Sequence, residues 1–358
     1  MYTKFSKKNI LFLVGGTSKE HRVSLYSSQD VLKNVDKKNF NIFLFAINKK
    51  GEWIQYENYK KYLKNEKHIN KISLIRKKKN LAIFPGKQKK KFFNFSKKIW
   101  LPKIDLAFPI IYGSEGENGN LQGFLESLYI KYLGSRVYSS SICINKRVTK
   151  GIIKRENISI VPFIFIKKDS IIPKFDFLKK VFGIPFVIKP VDQGSSIGVE
   201  KIFKEKKFFK SLSKIFSISK EVLIEKYIFG KEIEVGIIKI GNKFCISSYG
   251  EIDTKKFFYN FYKKYIKSST NNLIIPACLE EKTKKLIKKY SIKIFTKLKC
   301  SHMARISFLL DKKNKVFFNE INTVPGMGKK SIFYRLWKEK QISYNSLIKK
   351  LIFLGLQK

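Results

Sequence analysis

Two predicted strands near the end of the chain carry polar side chains that could bind a metal ion. Arg305 and Ser307 lie two residues apart on the first strand, and Glu320 and Asn322 lie two residues apart on the second. Because side chains alternate between the faces of a strand, each pair occupies one face. A carboxylate and an amide oxygen suit Mg²⁺ that is bound together with nucleotide phosphates. Arg305 and the backbone N–H near Gly326 could then stabilise a developing oxyanion.

A second candidate is the glycine-serine loop from Gly194 to Gly198, which follows Lys189 at the end of a predicted strand. Small residues let backbone N–H groups approach phosphate oxygens, the hydroxyls of Ser195 and Ser196 add donors, and Lys189 adds a positive charge. The spacing of a Walker loop is absent. The pattern predicts a phosphate-binding loop, and the alternative is an ordinary turn.

A third candidate consists of Glu225 and Lys226 at the end of an apolar strand, with Glu232 seven residues further on. Acids at a strand end can accept hydrogen bonds from an adenine amino group and from ribose hydroxyls. The alternative is solvated charge, and taken alone these three residues favour that alternative.

The elements that position these residues read as alternating strands and helices. Asn9 to Val14 predicts a strand, Ser24 to Val35 a helix and Phe40 to Ile47 a second strand, which together indicate an open α/β sheet. A ligand site lies beyond the carboxyl ends of the strands in such a sheet, and Glu20 falls there. The Lys-rich stretch 55–98 predicts a hairpin or an insertion.

Later segments repeat the α/β pattern. Helices are predicted over Leu121 to Tyr129, Ser139 to Arg155 and Glu280 to Leu298 and from Ile342, and strands over Ile104 to Pro109, Pro185 to Pro190, Val222 to Lys226, Glu232 to Ile240, Met303 to Leu310 and Lys315 to Ile321.

Composition narrows the class of protein. The 358 residues are 44% hydrophobic, which is enough for several packed cores. The net charge of +48 comes from Lys spread between Lys4 and Lys358, so we expect no specific nucleic-acid partner. The apolar run Ile10 to Val14 is too short for a signal or a membrane span, and four separated cysteines show no zinc spacing. These features predict a cytoplasmic protein without a membrane partner.

Six strings in order make the chain similar to the D-alanine–D-alanine ligase family. The strings are G-G-T-S-K-E-H-R-V-S (Gly15 to Ser24), G-S-E-G-E-N-G-N-L-Q-G (Gly113 to Gly123), I-K-P-V-D-Q-G-S-S-I-G-V (Ile188 to Val199), F-Y-N-F-Y-K-K-Y (Phe258 to Tyr265), M-A-R-I (Met303 to Ile306) and N-E-I-N-T-V-P-G-M (Asn319 to Met327). The resemblance covers nearly the whole chain.

This resemblance implies an N-terminal α/β domain (1–137) followed by an α+β ATP-grasp fold. The ATP-grasp fold would consist of a central subdomain (138–220) and a C-terminal subdomain (221–358) that clamp ATP between them. It implies a nucleotide site formed by Lys146, Lys189, Ser196, Glu225, Lys226, Ile228, Glu232 and Asn319, with Phe258 and Lys264 closing over it. It also implies a homodimer and two Mg²⁺ or Mn²⁺ ions per site, held by Glu320 and Asn322.

The resemblance further implies the reaction. Glu20 would bind the ammonium of the first D-alanine. Ser195 would link the glycine-serine loop to Glu20, and Tyr265 would link the lid that closes over ATP to Glu20. Ser331 would bind the carboxylate of the second D-alanine. ATP would phosphorylate the carboxylate of the first D-alanine to an acyl phosphate. The amine of the second D-alanine would then attack this acyl phosphate, and Arg305 and Gly326 would stabilise the oxyanion that forms.

Four positions depart from the family pattern. Arg22 replaces a second acid, Tyr112 replaces His, and Asn118 replaces Asp. Ser307 stands where the family has a metal-binding Asp, and a hydroxyl is a weaker Mg²⁺ ligand than a carboxylate. The alternatives to an active ligase are another ATP-grasp carboxylate–amine ligase and, because of Ser307 and the charge, a basic binding protein on the same scaffold.

Overall fold

In the computed structural model, which describes residues 7–64, 81–253 and 273–357, the N-terminal segment forms an open sheet. Strand β1 (Lys8–Gly15) lies between β2 (Phe40–Ile47) and β7 (Leu106–Ile110) and is parallel to both, and β3 (Trp53–Tyr56) pairs antiparallel with β2. Parallel strands are covered on both faces, which explains their continuous apolar runs. Helix α1 (His21–Lys33) follows β1, as the sequence predicts within three residues.

The two faces of this sheet are covered by different parts of the chain. On one face, Ile10 packs with α1 and with the last helix, α11 (Tyr344–Leu356). On the other face, Leu11 packs with α4 (Asn120–Ser127). The C-terminal end of the chain therefore completes the core of the N-terminal sheet.

The Lys-rich segment contains a small sheet of its own. After α2 (Tyr59–Lys64), strands β4 (Leu81–Ile83), β5 (Phe92–Asn94) and β6 (Ile99–Trp100) pair antiparallel in that order. The predicted hairpin is confirmed for this part, and residues 65–80 lie outside the described ranges.

A central antiparallel sheet has the order β10-β9-β11-β8. Its strands are β8 (Phe163–Lys167), β9 (Phe186–Pro190), β10 (Glu200–Ile202) and β11 (Glu221–Lys226), and its helices are α7 (Phe175–Phe182) and α8 (Glu205–Phe216). Leu178 of α7 and Phe208 of α8 are fully buried against the sheet. The predicted boundary at 220/221 separates β11 from the sheet to which it belongs.

A second antiparallel sheet has the order β14-β13-β12-β15-β16. Its strands are β12 (Gly230–Ile240), β13 (Lys243–Ile252), β14 (Leu273–Ile274), β15 (Met303–Asp311) and β16 (Val316–Asn322), and nearby helices are α9 (Glu281–Lys297) and α10 (Ile332–Lys338). None of the helices in the described ranges is both long and apolar enough to cross a membrane.

The prediction of a single helix over 139–155 was wrong. The chain forms α5 (Val137–Ile144) and α6 (Lys146–Lys154), and Asn145 between them has φ −85° and ψ 97°, which no helix accommodates. The Asn145 side chain accepts the backbone N–H of Val148 and caps α6. This break sets Lys146 at the first position of a new helix.

Candidate active site

A cavity between the central and C-terminal sheets collects most of the residues that the sequence assigned to a nucleotide. The predicted residues on its wall are Lys146, Lys189, Ser196, Glu225, Lys226, Ile228, Glu232, Asn319, Arg305 and Glu320. Val187, Ile252 and Leu309 also line it and provide apolar surface of the kind that accepts a purine ring. Sequence reasoning missed these three because apolar strand residues look the same whether they face a core or a ligand.

One wall of this cavity is backed by a buried charge cluster, formed by Lys150, Glu225 and Lys189. The Glu225 carboxylate lies 2.8 Å from Lys150 Nζ and 2.7 Å from Lys189 Nζ. The Lys150 side chain is completely buried, and sequence reasoning missed it. A signal existed, because Lys146 and Lys150 are four residues apart and share one face of α6.

The charges of this cluster shift one another's pKa values. Burial lowers the pKa of Lys150 to about 8, although the Glu225 charge opposes that shift. Burial alone would raise the pKa of Glu225, but Lys150 and Lys189 together hold it below its ordinary value. Glu225 is therefore a fixed anion that orients Lys189 toward the cavity.

The glycine-serine loop contacts two sites at once. Ser195 and Ser196 adopt φ values of 52° and 58°, a left-handed conformation that costs energy outside glycine. Ser196 lines the nucleotide cavity, whereas the Ser195 hydroxyl donates a hydrogen bond to the Glu20 carboxylate. A phosphate held by this loop would therefore lie beside a ligand held by Glu20.

Glu20 lines an adjoining cavity between the N-terminal domain and the glycine-serine loop. The residue is 3% exposed, and Gln193 lines this cavity as well as the nucleotide cavity. Gly113, with φ 87°, also lines it, and a Cβ there would lie 3.2 Å from Glu20 Oε2. The position requires glycine both for its conformation and for the room it leaves.

A second carboxyl group, Glu117, ends the short helix α3 (Ser114–Glu117) beside this cavity. Its Oε1 accepts the backbone N–H of Gly113 at 3.1 Å. Burial, and secondly the charge of Glu20, raise the pKa of Glu117 to about 8. The folded environment therefore favours the protonated form of Glu117, a residue to which the sequence analysis gave no role.

The two strand ends of the C-terminal sheet meet as the alternation predicted. Arg305 pairs with Asn322, and Ser307 pairs with Glu320, across β15 and β16. Glu320 Oε2 lies 3.9 Å from Lys146 Nζ. The Asn322 amide oxygen accepts the backbone N–H of Val324 at 2.9 Å, which fixes its direction and leaves a second lone pair.

Ser307 is joined to the nucleotide cavity by its hydroxyl. It donates to Glu232 Oε1 at 3.0 Å and accepts from Asn319 Nδ2 at 3.3 Å, while Asn319 Oδ1 accepts from Lys189 Nζ at 3.2 Å. Within residues 7–64, 81–253 and 273–357, no group of three or more His, Cys, Asp or Glu side chains could hold a metal. The oxygen donors of Glu320 and Asn322 fit Mg²⁺ that takes its remaining ligands from phosphates and water.

Arg305 is held by an acid on the neighbouring strand. Its Nε lies 3.0 Å from Glu234 Oε2, and both side chains are nearly buried. Ser331 begins α10, and its hydroxyl accepts the backbone N–H of Tyr334 at 3.3 Å. Gly326 and Ser331 line neither cavity, although Ile332 lines the nucleotide cavity. Phe258, Lys264 and Tyr265, predicted to close over ATP, lie outside the described residues.

Family models match two parts of the chain. The model described as D-ala D-ala ligase N-terminus matches residues 9–135, and that described as D-ala D-ala ligase C-terminus matches residues 152–353. The D-alanine–D-alanine ligase of Wigglesworthia glossinidia brevipalpis is 41% identical over 353 residues, which cover 98% of this chain and 99% of the relative.

Solved structures agree with this match. The VanG D-Ala:D-Ser ligase from Enterococcus faecalis superposes with a TM-score of 0.83 at 27% identity, covering 98% of this chain and 99% of that one. The D-alanine–D-alanine ligase from Bacillus anthracis complexed with ATP gives a TM-score of 0.70 at 26% identity, with 98% and 97% coverage. The likeness thus extends over both cavities.

Proposed function

Because this chain belongs to the D-alanine–D-alanine ligase family, we propose that its two adjoining cavities join two D-alanines with conversion of ATP to ADP and phosphate. The product is D-alanyl-D-alanine, a building block of peptidoglycan. The observation that carries the proposal is the glycine-serine loop, in which Ser196 lines the nucleotide cavity while Ser195 binds Glu20.

The nucleotide cavity has the donors that ATP requires. Lys146 and Lys189 bring positive charge to the phosphates, and Ser196 adds a hydroxyl and a backbone N–H. Lys226, Ile228 and Glu232 also line the cavity. Their carboxylate, ammonium and backbone groups suit the adenine and the ribose hydroxyls.

The first D-alanine binds with its ammonium at Glu20. Its carboxylate then lies toward the glycine-serine loop and receives the γ-phosphoryl group, so that an acyl phosphate forms and ADP leaves. A free carboxylate is a poor electrophile, whereas the acyl phosphate reacts readily with an amine. The raised pKa of Glu117 favours its protonated form, so Glu117 adds little negative charge beside Glu20.

The second D-alanine is placed by the C-terminal loop, residues 323–331, which connects β16 to α10. Ser331 offers a hydroxyl to its carboxylate, its amine attacks the acyl phosphate, and inorganic phosphate leaves. Arg305, held by Glu234, and the Gly326 N–H stabilise the tetrahedral oxyanion, and one such donor is typically worth about 3 kcal/mol. Water must be excluded until the amine attacks, because it would hydrolyse the acyl phosphate.

We propose that Glu320 and Asn322 hold Mg²⁺ or Mn²⁺, two ions per site as the family resemblance implies. Bound metal would neutralise charge on the transferring phosphate. The position of the usual third ligand is taken by Ser307, which is neutral and bonded to Glu232. The protein therefore contributes one carboxylate to the metals, and this small anionic contribution predicts a high metal requirement.

The family resemblance also supports a homodimer that acts in the cytoplasm. The sequence predicts the units 1–137, 138–220 and 221–358. We propose the same three units with the second boundary moved from 220 to Lys226, because β11 pairs with β8 and β9.

Phosphate release from ATP with different amino acids tests the function. D-alanine should stimulate release and yield the dipeptide, while L-alanine should not, because Glu20 and the loop define one stereochemistry. D-serine and D-lactate, offered as second substrates, measure the specificity of the C-terminal loop. If D-alanine gives no stimulation at any Mg²⁺ concentration, the alternative of a basic binding protein on this scaffold gains support.

A further inference from the structure

One residue of the C-terminal loop, Met327, is held through both its backbone N–H and its carbonyl by two tyrosine hydroxyls. The Met327 N–H donates to the Tyr112 hydroxyl at 2.9 Å, and the Tyr344 hydroxyl donates to the Met327 carbonyl at 2.5 Å. Tyr112, Met327 and Tyr344 are all buried. One tyrosine follows β7 of the N-terminal sheet and the other begins the last helix, so the two tyrosines join the N-terminal domain and α11 to this loop.

The backbone of Tyr112 contacts the substrate site on the other side. Its carbonyl accepts the Ser18 hydroxyl at 2.7 Å, and the same Ser18 oxygen accepts the backbone N–H of Glu20 at 3.1 Å. A continuous set of bonded groups therefore runs from Glu20 through Ser18 and Tyr112 to Met327. Met327, the residue after Gly326, is thus connected through Tyr112 to the loop that carries Glu20.

We propose that Tyr112 is a positioning residue that sets the spacing between Glu20 and the Gly326 N–H, an inference that rests on the proposed function. Glu20 places the first D-alanine, and the Gly326 N–H must meet the oxyanion that forms on its carbonyl carbon. Oxyanion donors act only within a narrow distance range, so a small displacement of the loop lowers the rate of the chemical step. Substrate binding before that step does not use this donor.

The loop has a further anchor that does not involve Tyr112. The Lys329 N–H donates to Asp30 Oδ2 at 2.8 Å, on α1 of the N-terminal domain. The loop therefore stays docked when the Tyr112 hydroxyl is removed, and only the Met327 peptide gains freedom. Tyr112→Phe is a mild change for this reason, because the ring remains in place.

The test compares Tyr112→Phe and Tyr344→Phe with a matched control, Tyr132→Phe. The Tyr132 hydroxyl bonds Glu126 at 2.6 Å, away from the loop. Loss of one hydrogen bond should lower kcat of Tyr112→Phe about fivefold, while KM for ATP and for D-alanine stays within about twofold. Affinity for a tetrahedral phosphinate analogue of the dipeptide should fall by the same factor as kcat.

Hydrogen exchange gives a readout that needs no turnover. The peptide covering residues 324–331 should exchange faster in Tyr112→Phe and in Tyr344→Phe, and at the wild-type rate in Tyr132→Phe. In the double variant kcat should fall by less than the product of the two single effects, since both tyrosines hold the backbone of Met327.

Two results overturn the proposal. One is a kcat of Tyr112→Phe equal to that of the wild type. The other is a lower kcat without faster hydrogen exchange at 324–331, which would mean that the loss of activity does not come from displacement of this loop. Absence of D-alanine-dependent turnover in the wild-type protein would defeat the proposed function instead. Exchange and analogue affinity would still decide whether Tyr112 positions the loop.

Discussion

The ammonium of Lys150 lies 2.8 Å from the Glu225 carboxylate, with the Lys150 side chain fully buried and the Glu225 side chain nearly so. Lys189 lies 2.7 Å from the other carboxylate oxygen and also lines the nucleotide cavity. Lys150, which lines neither of the two cavities described above, thus completes the neutralisation of Glu225, the anion that orients Lys189.

Replacing Lys150 by Met should destabilise the protein, because it leaves a buried carboxylate with one cation instead of two. We expect the free energy of unfolding to fall by about 3 kcal/mol, measured by urea denaturation. Lys154→Met, an exposed position on the same helix, is the control and should stay within about 0.5 kcal/mol of the wild type. Equal stability of the two variants would contradict a structural role for the Lys150–Glu225 pair.

Replacing Glu20 by Ala should chiefly impair binding of the first D-alanine, because the ammonium loses its anion. A hydrogen bond to a charged group contributes about 1.5 to 3 kcal/mol to binding. KM for that substrate should therefore rise at least about tenfold, with KM for ATP little changed. Steady-state kinetics over a wide D-alanine range separate the two substrate constants. Unchanged kinetics would remove Glu20 from the substrate site.

Glu117 should make stability depend on pH. Burial, and secondly the charge of Glu20, raise the pKa of Glu117 to about 8 in the folded protein from an ordinary value of 4.5. The folded state therefore binds the proton more tightly, and this contribution to stability is lost as pH rises through about 8. Between pH 6 and 9 the wild-type Tm should fall by roughly 3 °C more than that of Glu117→Gln. Parallel Tm curves for the two proteins would show that Glu117 does not titrate in this range.

Restoring a carboxylate at position 307 should lower the metal requirement. Ser307→Asp adds an anion beside Glu320, so less Mg²⁺ should be needed for half-maximal activity, without a change in D-alanine specificity. Ser307→Asn, which has a similar size and no charge, is the matched control.

A second readout is thermal stabilisation by Mg²⁺ and a non-hydrolysable ATP analogue, which should increase only in the Asp variant. Because Ser307 bonds Glu232, the Asp variant without metal should be less stable than the Asn variant. Identical magnesium curves for all three proteins would mean that position 307 does not contact the metal, and the role carried over for Arg305 would need the same test.

Local patterns determined much of this site before any tertiary contact was considered. Arg305 with Ser307, and Glu320 with Asn322, share faces because the strand period of two depends only on backbone geometry. The six family strings indicated the family of the chain because they extend over nearly its whole length, from Gly15 to Met327. The predicted helix over 139–155 failed at Asn145, where a side-chain cap outweighs helix propensity.

Only the tertiary structure decided which charges meet. The spacing of Lys150 from Lys146 places both on one helix face, but only the folded chain shows that Lys150 is buried against Glu225. The raised pKa of Glu117 depends first on burial and secondly on Glu20, which a different loop brings close. In the sequence, Tyr112 is only a departure from the family's His. The structure shows that its hydroxyl accepts a hydrogen bond from the Met327 N–H. Periodicity and motif spacing are local in sequence, whereas desolvation and charge coupling depend on distances through space, which the folded chain sets.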